Sequence, residues 1–238
     1  MAQQANQYDN GRQGNPIYYK LNEGYFIRSV PVVVKQTAAT KIQNSNFEIA
    51  SKAGRMFRYL LEPAIPFSKD KKMQNRFAGT FMKWLQLNTL VQLQPATNLP
   101  FVQNFQFNDA CSLIEKCKIP LRVIAVNNGM LQLHFPAFIP VKSFAAPAHT
   151  NSINFVITTA SCTLQSGEEN GSFTRQFMIP YLTTAIPEQI IKLPIAMHRG
   201  SLIIVAVSLQ YNIGKNGNFK PSANKAFLPS GIITSMYV

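Results

Sequence analysis

Apolar residues recur along the chain in two rhythms, and the change between them falls near residue 95. Ile17-Tyr18-Tyr19-Lys20-Leu21 is a β-rich run. Asn22-Glu23-Gly24 follows as a turn with a glycine free to take positive φ, and Tyr25-Phe26-Ile27-Arg28-Ser29 reads as the return strand. Val30 to Val34 extends it, with Pro31 marking an edge or a bend. The period then lengthens. Over residues 41–62, Ile42, Ile49, Ala50, Ala53, Met56, Phe57, Leu60 and Leu61 share one side at helical spacing. Lys41, Glu48, Lys52, Arg55 and Tyr59 share the other, which predicts an amphipathic helix ended by Glu62-Pro63. A second helix is predicted over residues 70–87. Ser68 or Asp70 caps it, Met73, Phe77, Phe81, Trp84 and Leu85 form its apolar stripe, and Lys72, Arg76 and Lys83 line another face.

From residue 95 onward prolines recur and short apolar or alternating runs lie between them. Leu121 to Val126 and Met130 to Phe135 flank Asn127-Asn128-Gly129, a strong hairpin signal because both Asn and Gly tolerate positive φ. Ile153 to Leu164 and Ser201 to Tyr211 are strong strands. Ser172 to Ile179 and Gln189 to Leu193 are weaker ones, and Ile232 to Val238 is a final strand. Ser166 to Gly171 reads as a polar turn. The fold class predicted is α+β, mainly β: an N-terminal hairpin with two amphipathic helices over residues 1–94, then an antiparallel β-sandwich over residues 95–238.

Charge sharpens that division. The 238 residues carry 23 Lys or Arg and 10 Asp or Glu, a net of +13, although charged residues make up only 14% of the chain. The imbalance is therefore a shortage of acids, not an excess of bases. Residues 1–90 hold 13 basic and 5 acidic side chains, against 10 and 5 in residues 91–238, so the N-terminal part is the more basic per residue. Such a balance favours a polyanion as partner, nucleic acid first among them. The polar start, Met1-Ala2-Gln3-Gln4-Ala5-Asn6-Gln7, lacks the basic and apolar regions of a secretory leader, and no apolar run approaches the ~20 residues of a membrane span. The expectation is a soluble protein, cytoplasmic or part of a particle assembled in the cytoplasm.

Catalytic chemistry finds little support in the residues. Cys111, Cys117 and Cys162 form no C-x-x-C pair and read as reduced structural thiols. His134, His149 and His198 have no helical metal spacing; a Cys162–His149 dyad exists only as arithmetic. Glu168-Glu169 sit side by side in a polar turn. No phosphate-binding loop, dinucleotide fingerprint or nucleophile elbow occurs. No cofactor and no metal is expected, and a non-enzymatic role is.

The basic features are the stronger signal. Arg12, Lys20, Arg28 and Lys35 punctuate the lead-in and hairpin, interleaved with Tyr18, Tyr19, Tyr25 and Phe26. Aromatic rings beside cations on a strand surface suit stacked bases and paired phosphates, although the same rings can pack on the first helix. Arg12, Lys20, Arg28, Lys52, Arg55, Lys72, Arg76 and Lys83 are the candidate phosphate contacts. The basic helix with Trp84 on its apolar side also has the composition of a membrane-surface helix, a reading held below core packing. A second function class fits as well: a self-assembling structural subunit, a particle or filament component. Residues 1–16 or 232–238 would reach a neighbour, the latter by strand addition.

Gly11-x-x-Gly14-Asn15, Tyr18-Tyr19, the hairpin to Arg28-Ser29-x-Pro31 and the helix from Ile42 to Leu61 together resemble a bacterial family of unknown function. The stretches Pro136 to His149 and Leu202 to Asn218 are similar to the small β-sandwich modules of that family. After Lys35 the chain reads Gln36-Thr37-Ala38-Ala39-Thr40, where many members carry an Arg-Thr-Pro-type segment. The resemblance implies a two-part architecture and no catalytic residues.

Overall fold

The computed structural model describes residues 2–3, 11–12, 15–22, 24–30, 36–66, 70–87, 102–126, 129–164, 166–215 and 217–238. The chain divides into two compact units, residues 1–43 and 44–238.

The first unit is a four-stranded antiparallel sheet. Strands β1 (Ala2–Gln3), β2 (Gly11–Arg12), β3 (Pro16–Leu21) and β4 (Gly24–Ser29) lie in the order β1-β4-β3-β2. The predicted hairpin is its centre: Leu21 lies opposite Gly24, and Tyr19 opposite Phe26. The continuation over Val32, Val33 and Val34 lies outside the described residues.

Helix α1 (Ala38–Leu60) begins earlier than its apolar period suggests, because Thr37 caps it. The Thr37 hydroxyl accepts from the Thr40 amide at 3.2 Å. It stops at Leu60, one step before a 3-10 turn over Glu62–Ala64 that takes up Pro63. Its burial begins only at Ala50. Ile42, expected on the core side, is 61% exposed, because the core that receives this face does not extend that far along the helix. Helix α2 (Lys71–Leu87) starts at the predicted cap: the Asp70 carboxylate accepts from the amides of Lys72 at 2.8 Å and Met73 at 3.3 Å. The two helices cross at Gly54, where a side chain would come within 3.3 Å of the Ala78 backbone.

The rest of the second unit is mainly β, with antiparallel sheets and two further short helices, α3 (Leu113–Lys116) and α4 (Pro140–Ser143), that the apolar pattern does not signal. Strands β5 (Arg122–Val126), β6 (Met130–Phe135) and β9 (Gln189–Pro194) form a three-stranded sheet in the order β5-β6-β9. The first two are the expected hairpin. Val126 lies opposite Met130 and Gly129 has φ 71°, while Asn127 and Asn128 lie outside the described residues. Strands β7 (Thr150–Thr163), β8 (Glu168–Pro180), β10 (Ser201–Lys215), β11 (Asn218–Pro221) and β12 (Ser230–Tyr237) make a five-stranded sheet. In it β10 is central. One edge pairs with β7, and the other is shared end to end by β12, along Leu202 to Ser208, and β11, along Asn212 to Lys215.

Strand β8 is longer than its apolar run. Glu168 and Glu169, expected in a turn, already pair with Thr163 and Cys162. A bulge there is stabilised by the Asn170 amide, which donates to Ser201 Oγ at 2.7 Å and Thr163 Oγ1 at 3.2 Å.

Strands β7 and β10 are buried on both faces, and the two faces feed two cores. Ala160, Cys162, Leu202, Ile204 and Ala206 join Ala53, Phe57, Phe77, Phe81 and Trp84 of the helices. Phe77 is the hub there, with ring centres 5.1 Å from Phe81, 4.9 Å from Phe105 and 5.5 Å from Phe107. On the opposite face Ile153, Phe155, Ile157, Ile203, Val205, Val207 and Tyr211 join Leu131, Leu133, Phe135, Ile191 and Leu193 of the smaller sheet. Residues on both sides of position 95 thus build one core. Position 95 itself lies outside the described residues.

The last strand is internal. One edge of β12 pairs with β10. The other meets residues 104–107: Asn104 donates to Ile232 O and Phe107 to Ser230 O, both at 2.9 Å, and Ile232 donates to Phe105 O at 2.9 Å. Residues 232–238, expected as a candidate for exchange with a neighbour, are paired with β10 and Ser201 of their own chain, and at Ile232 the other edge is held as well. Most of the lead-in 1–16 lies outside the described residues.

Candidate polyanion-binding surfaces

The cations predicted as phosphate contacts fall into three groups. In the first unit, the backbone of Arg12 is paired opposite Ile17. Lys20 and Arg28 are exposed, and each lies against an aromatic ring. Lys20 Nζ is 5.4 Å from the Tyr25 ring centre, and the Arg28 guanidinium carbon is 5.9 Å from that of Tyr19. The rings of Tyr19 and Phe26 stack on one another at 5.9 Å and 28°.

The second group is the outward stripe of α1. Lys52 is exposed and paired with Glu48 at 2.7 Å, one helical turn back. That hydrogen bond, with the Lys52 charge, holds the Glu48 carboxyl below the ordinary carboxylate value. Arg55 is exposed, and its neighbour Arg58 is lowered from the usual guanidinium value first by burial and then by the charge of Arg55. Lys52, Arg55, Met56 and Tyr59 form one wall of a groove of about 500 Å³. Ser166 and Gly167, from the β7–β8 turn, and Glu169, from the start of β8, form the other. Tyr59 is 69% exposed. Sequence reasoning found the helix wall but missed the turn wall, since no periodicity links residue 59 to residue 166.

The third group divides. Lys72 and Lys83 are exposed on α2, as a phosphate contact requires. Arg76, between them on the same stripe, is used inside the fold. Its two terminal nitrogens donate to the carbonyls of Gln106 at 3.1 Å and Phe107 at 3.4 Å, and its guanidinium sits 5.2 Å from the Phe105 ring centre. It pins the 104–107 segment, so its terminal nitrogens are engaged inside the fold, unlike those of the other candidate phosphate contacts on this helix. The apolar stripe of α2 is likewise taken: Met73, Phe77, Phe81 and Trp84 are buried in the core, so that face is not open to a membrane surface. Among the described residues, no helix is long and apolar enough to cross a membrane.

The residues weighed for catalysis are dispersed. His149 precedes β7 and Cys162 lies near its far end, thirteen residues on, so the extended strand separates them by about 40 Å and they form no dyad. Burial raises the thiols of Cys117 and Cys162 to about 11, which keeps them protonated and poorly nucleophilic. His134 lies 3.7 Å from Glu188. Among the described residues no cluster of three or more His, Cys, Asp and Glu is placed to hold a metal ion.

No protein-family profile matches the chain, and no curated protein is similar to it in sequence.

Proposed function

We propose that this chain is a non-enzymatic binding protein that engages a polyanion, nucleic acid foremost, through cations of its N-terminal hairpin and first two helices. The observation that carries the reading is electrostatic. The chain has a net charge of +13, and the ion pairs among the described residues are Lys52–Glu48 and His134–Glu188. Among those residues, Lys20, Arg28, Arg55, Lys72 and Lys83 therefore present positive charge without an acidic partner within salt-bridge distance. Phosphates neutralise such a surface at little desolvation cost and release their counterions. We read the two sheets that share the second core as a sandwich, a rigid base for the helices that carry much of this charge.

The reading is tested by titrating a fluorescent oligonucleotide at increasing salt. Affinity falls steeply with salt, and replacing Arg55, Lys72 and Lys83 together with Gln reduces the log–log slope by about 0.7–0.9 for each phosphate that is no longer neutralised. Affinity independent of salt refutes it.

A self-assembling subunit is the second reading, and β8 favours it. This 13-residue strand forms an edge of the five-stranded sheet, with Met178 65% exposed, and edge strands of that length are templates for pairing with another chain. Light scattering separates the readings: a large species that persists at high salt without nucleic acid supports assembly.

A further inference from the structure

We propose that the groove between helix α1 and the start of β8 is a site for one guanine nucleotide, free or as a residue of an unpaired strand; this deepens the polyanion reading and rests on it for the role of the helix cations. The groove belongs wholly to the 44–238 unit. Its volume of about 500 Å³ lies within the ~300–1,000 Å³ of small-molecule sites. One wall carries Arg55 and Tyr59, one helical turn apart on the same face of α1, with Lys52 a turn before them. Met56, packed against the first core, adds apolar surface between them. Tyr59 is 69% exposed, which leaves its ring free to stack on a base.

The opposite wall supplies what a base needs beyond stacking. Glu169 lies opposite Cys162 in the β7–β8 ladder, and Cys162 belongs to the core beneath the helices. Glu169 therefore projects from that same face of the sheet, towards α1. Glu168 is engaged at the turn: its carboxylate accepts from the Ser166 hydroxyl at 3.1 Å, and its amide donates to that oxygen at 3.3 Å. Glu169 is thus the acid left to the groove. Among the described residues the ion pairs are Lys52–Glu48 and His134–Glu188, so none spans the two walls. A guanidinium on one side and a carboxylate on the other suit a ligand with an anionic group at one end and N–H donors at the other. A nucleotide has that polarity. Its phosphate goes to Arg55, with Lys52 beside it, its ring to Tyr59 and its base edge to Glu169. Guanine is the base selected, because its ring N–H and its exocyclic amino group lie side by side and donate to both oxygens of one carboxylate. Adenine and cytosine offer only an amino group there, and the ring N–H of uracil lies between two carbonyls that a carboxylate repels.

The test titrates the full chain by calorimetry at fixed low salt with guanosine monophosphate, uridine monophosphate and guanosine, and with uridine oligomers that do or do not contain one guanosine. Guanosine monophosphate binds about tenfold more tightly than uridine monophosphate, the discrimination of a bidentate pair. Glu169→Gln, which leaves one acceptor oxygen, erases that preference. Tyr59→Leu weakens guanosine monophosphate by about tenfold, and Arg55→Gln brings it down towards guanosine. All three side chains are exposed, so the variants stay folded, and circular dichroism checks that they do. Binding of the mononucleotide alone assigns the groove to free nucleotide; tighter binding of the guanosine-containing oligomer than of the plain one assigns it to a strand. Equal affinity for the two mononucleotides, or a guanine preference that survives Glu169→Gln, overturns the site. If no mononucleotide binds and both oligomers bind alike, with an affinity that salt weakens, the groove assignment falls and the polyanion reading stands. If nothing binds at low salt, both fall.

Discussion

Arg76 and its neighbours on α2 give the sharpest test of how the fold uses its charge. Arg76→Ala removes two donors from the carbonyls of Gln106 and Phe107 and a cation from the Phe105 ring. Leaving a buried carbonyl unsatisfied costs about 1–3 kcal/mol, and a partly desolvated cation–π interaction is worth about 0.5–2 kcal/mol. Water reaches part of this site, since Arg76 is only half-buried, so the loss is set at about 2–4 kcal/mol. For a unit of this size that is a fall in Tm of roughly 5–15 °C. Lys83→Ala, on the same stripe but exposed, stays within about 0.5 kcal/mol of wild type. Lys72→Ala is neutral or slightly stabilising, because Lys72 sits in the first turn of α2, where the helix dipole disfavours a cation. Urea unfolding followed by circular dichroism measures all three. Arg76→Met separates the fork from its aliphatic stem, keeping the packing and losing the hydrogen bonds. If Arg76→Ala unfolds within about 0.5 kcal/mol of Lys83→Ala, Arg76 does not pin the 104–107 segment and returns to the set of surface cations.

Two further outcomes follow from the same packing. Removing residues 230–238 takes away a strand paired with β10 along its length and with residues 104–107 at its start, along with the buried Ile232 and Met236, and is expected to abolish cooperative unfolding of the 44–238 unit. A truncated chain that stays folded and loses only self-association would restore the exchange idea. Stability is expected to fall as pH rises from 9 toward 11. The unfolded thiols ionise near 9.0, while burial holds Cys117 and Cys162 protonated up to about 11, so hydroxide favours the unfolded state. For Cys117 alone the loss is about 2–3 kcal/mol at about 1.4 kcal/mol per pH unit, and Cys117→Ala should flatten that part of the alkaline slope in a pH series of unfolding curves.

The hairpins, the two long helices and the Asp70 cap were legible in the sequence because each is a local decision. Turn residues, a capping carboxylate and a repeat of apolar positions suffice for them. What lies beyond an element was not legible. Periodicity puts Ile42 on the same side as Ala53, but only the position of the sheet decides that Ala53 is covered and Ile42 is not. It puts Arg76 in line with Lys72 and Lys83, yet a segment thirty residues away turns one of the three into an internal tie. The polar Glu168-Glu169-Asn170 stretch reads as a turn because its strand character depends on hydroxyls brought in by Ser201 and Thr163. For the candidate site, the residue types were visible. The stacking of Tyr19 on Phe26 depends on strand register, and the groove beside Tyr59 on a remote turn.

The arrangement around β10 has a consequence for how the protein is made. Its partners are β7, nearly forty residues before it, and β11 and β12, which both follow it. The central strand is therefore synthesised with β7 present and β12 still inside the ribosome, the Leu202 to Ser208 part of its second edge open until residues 230–237 emerge. Seven consecutive buried positions, Ser201 to Val207, wait in that interval. A nascent chain of this design exposes one β-rich, apolar edge until β12 emerges, and an edge of that kind is open to mispairing while it waits.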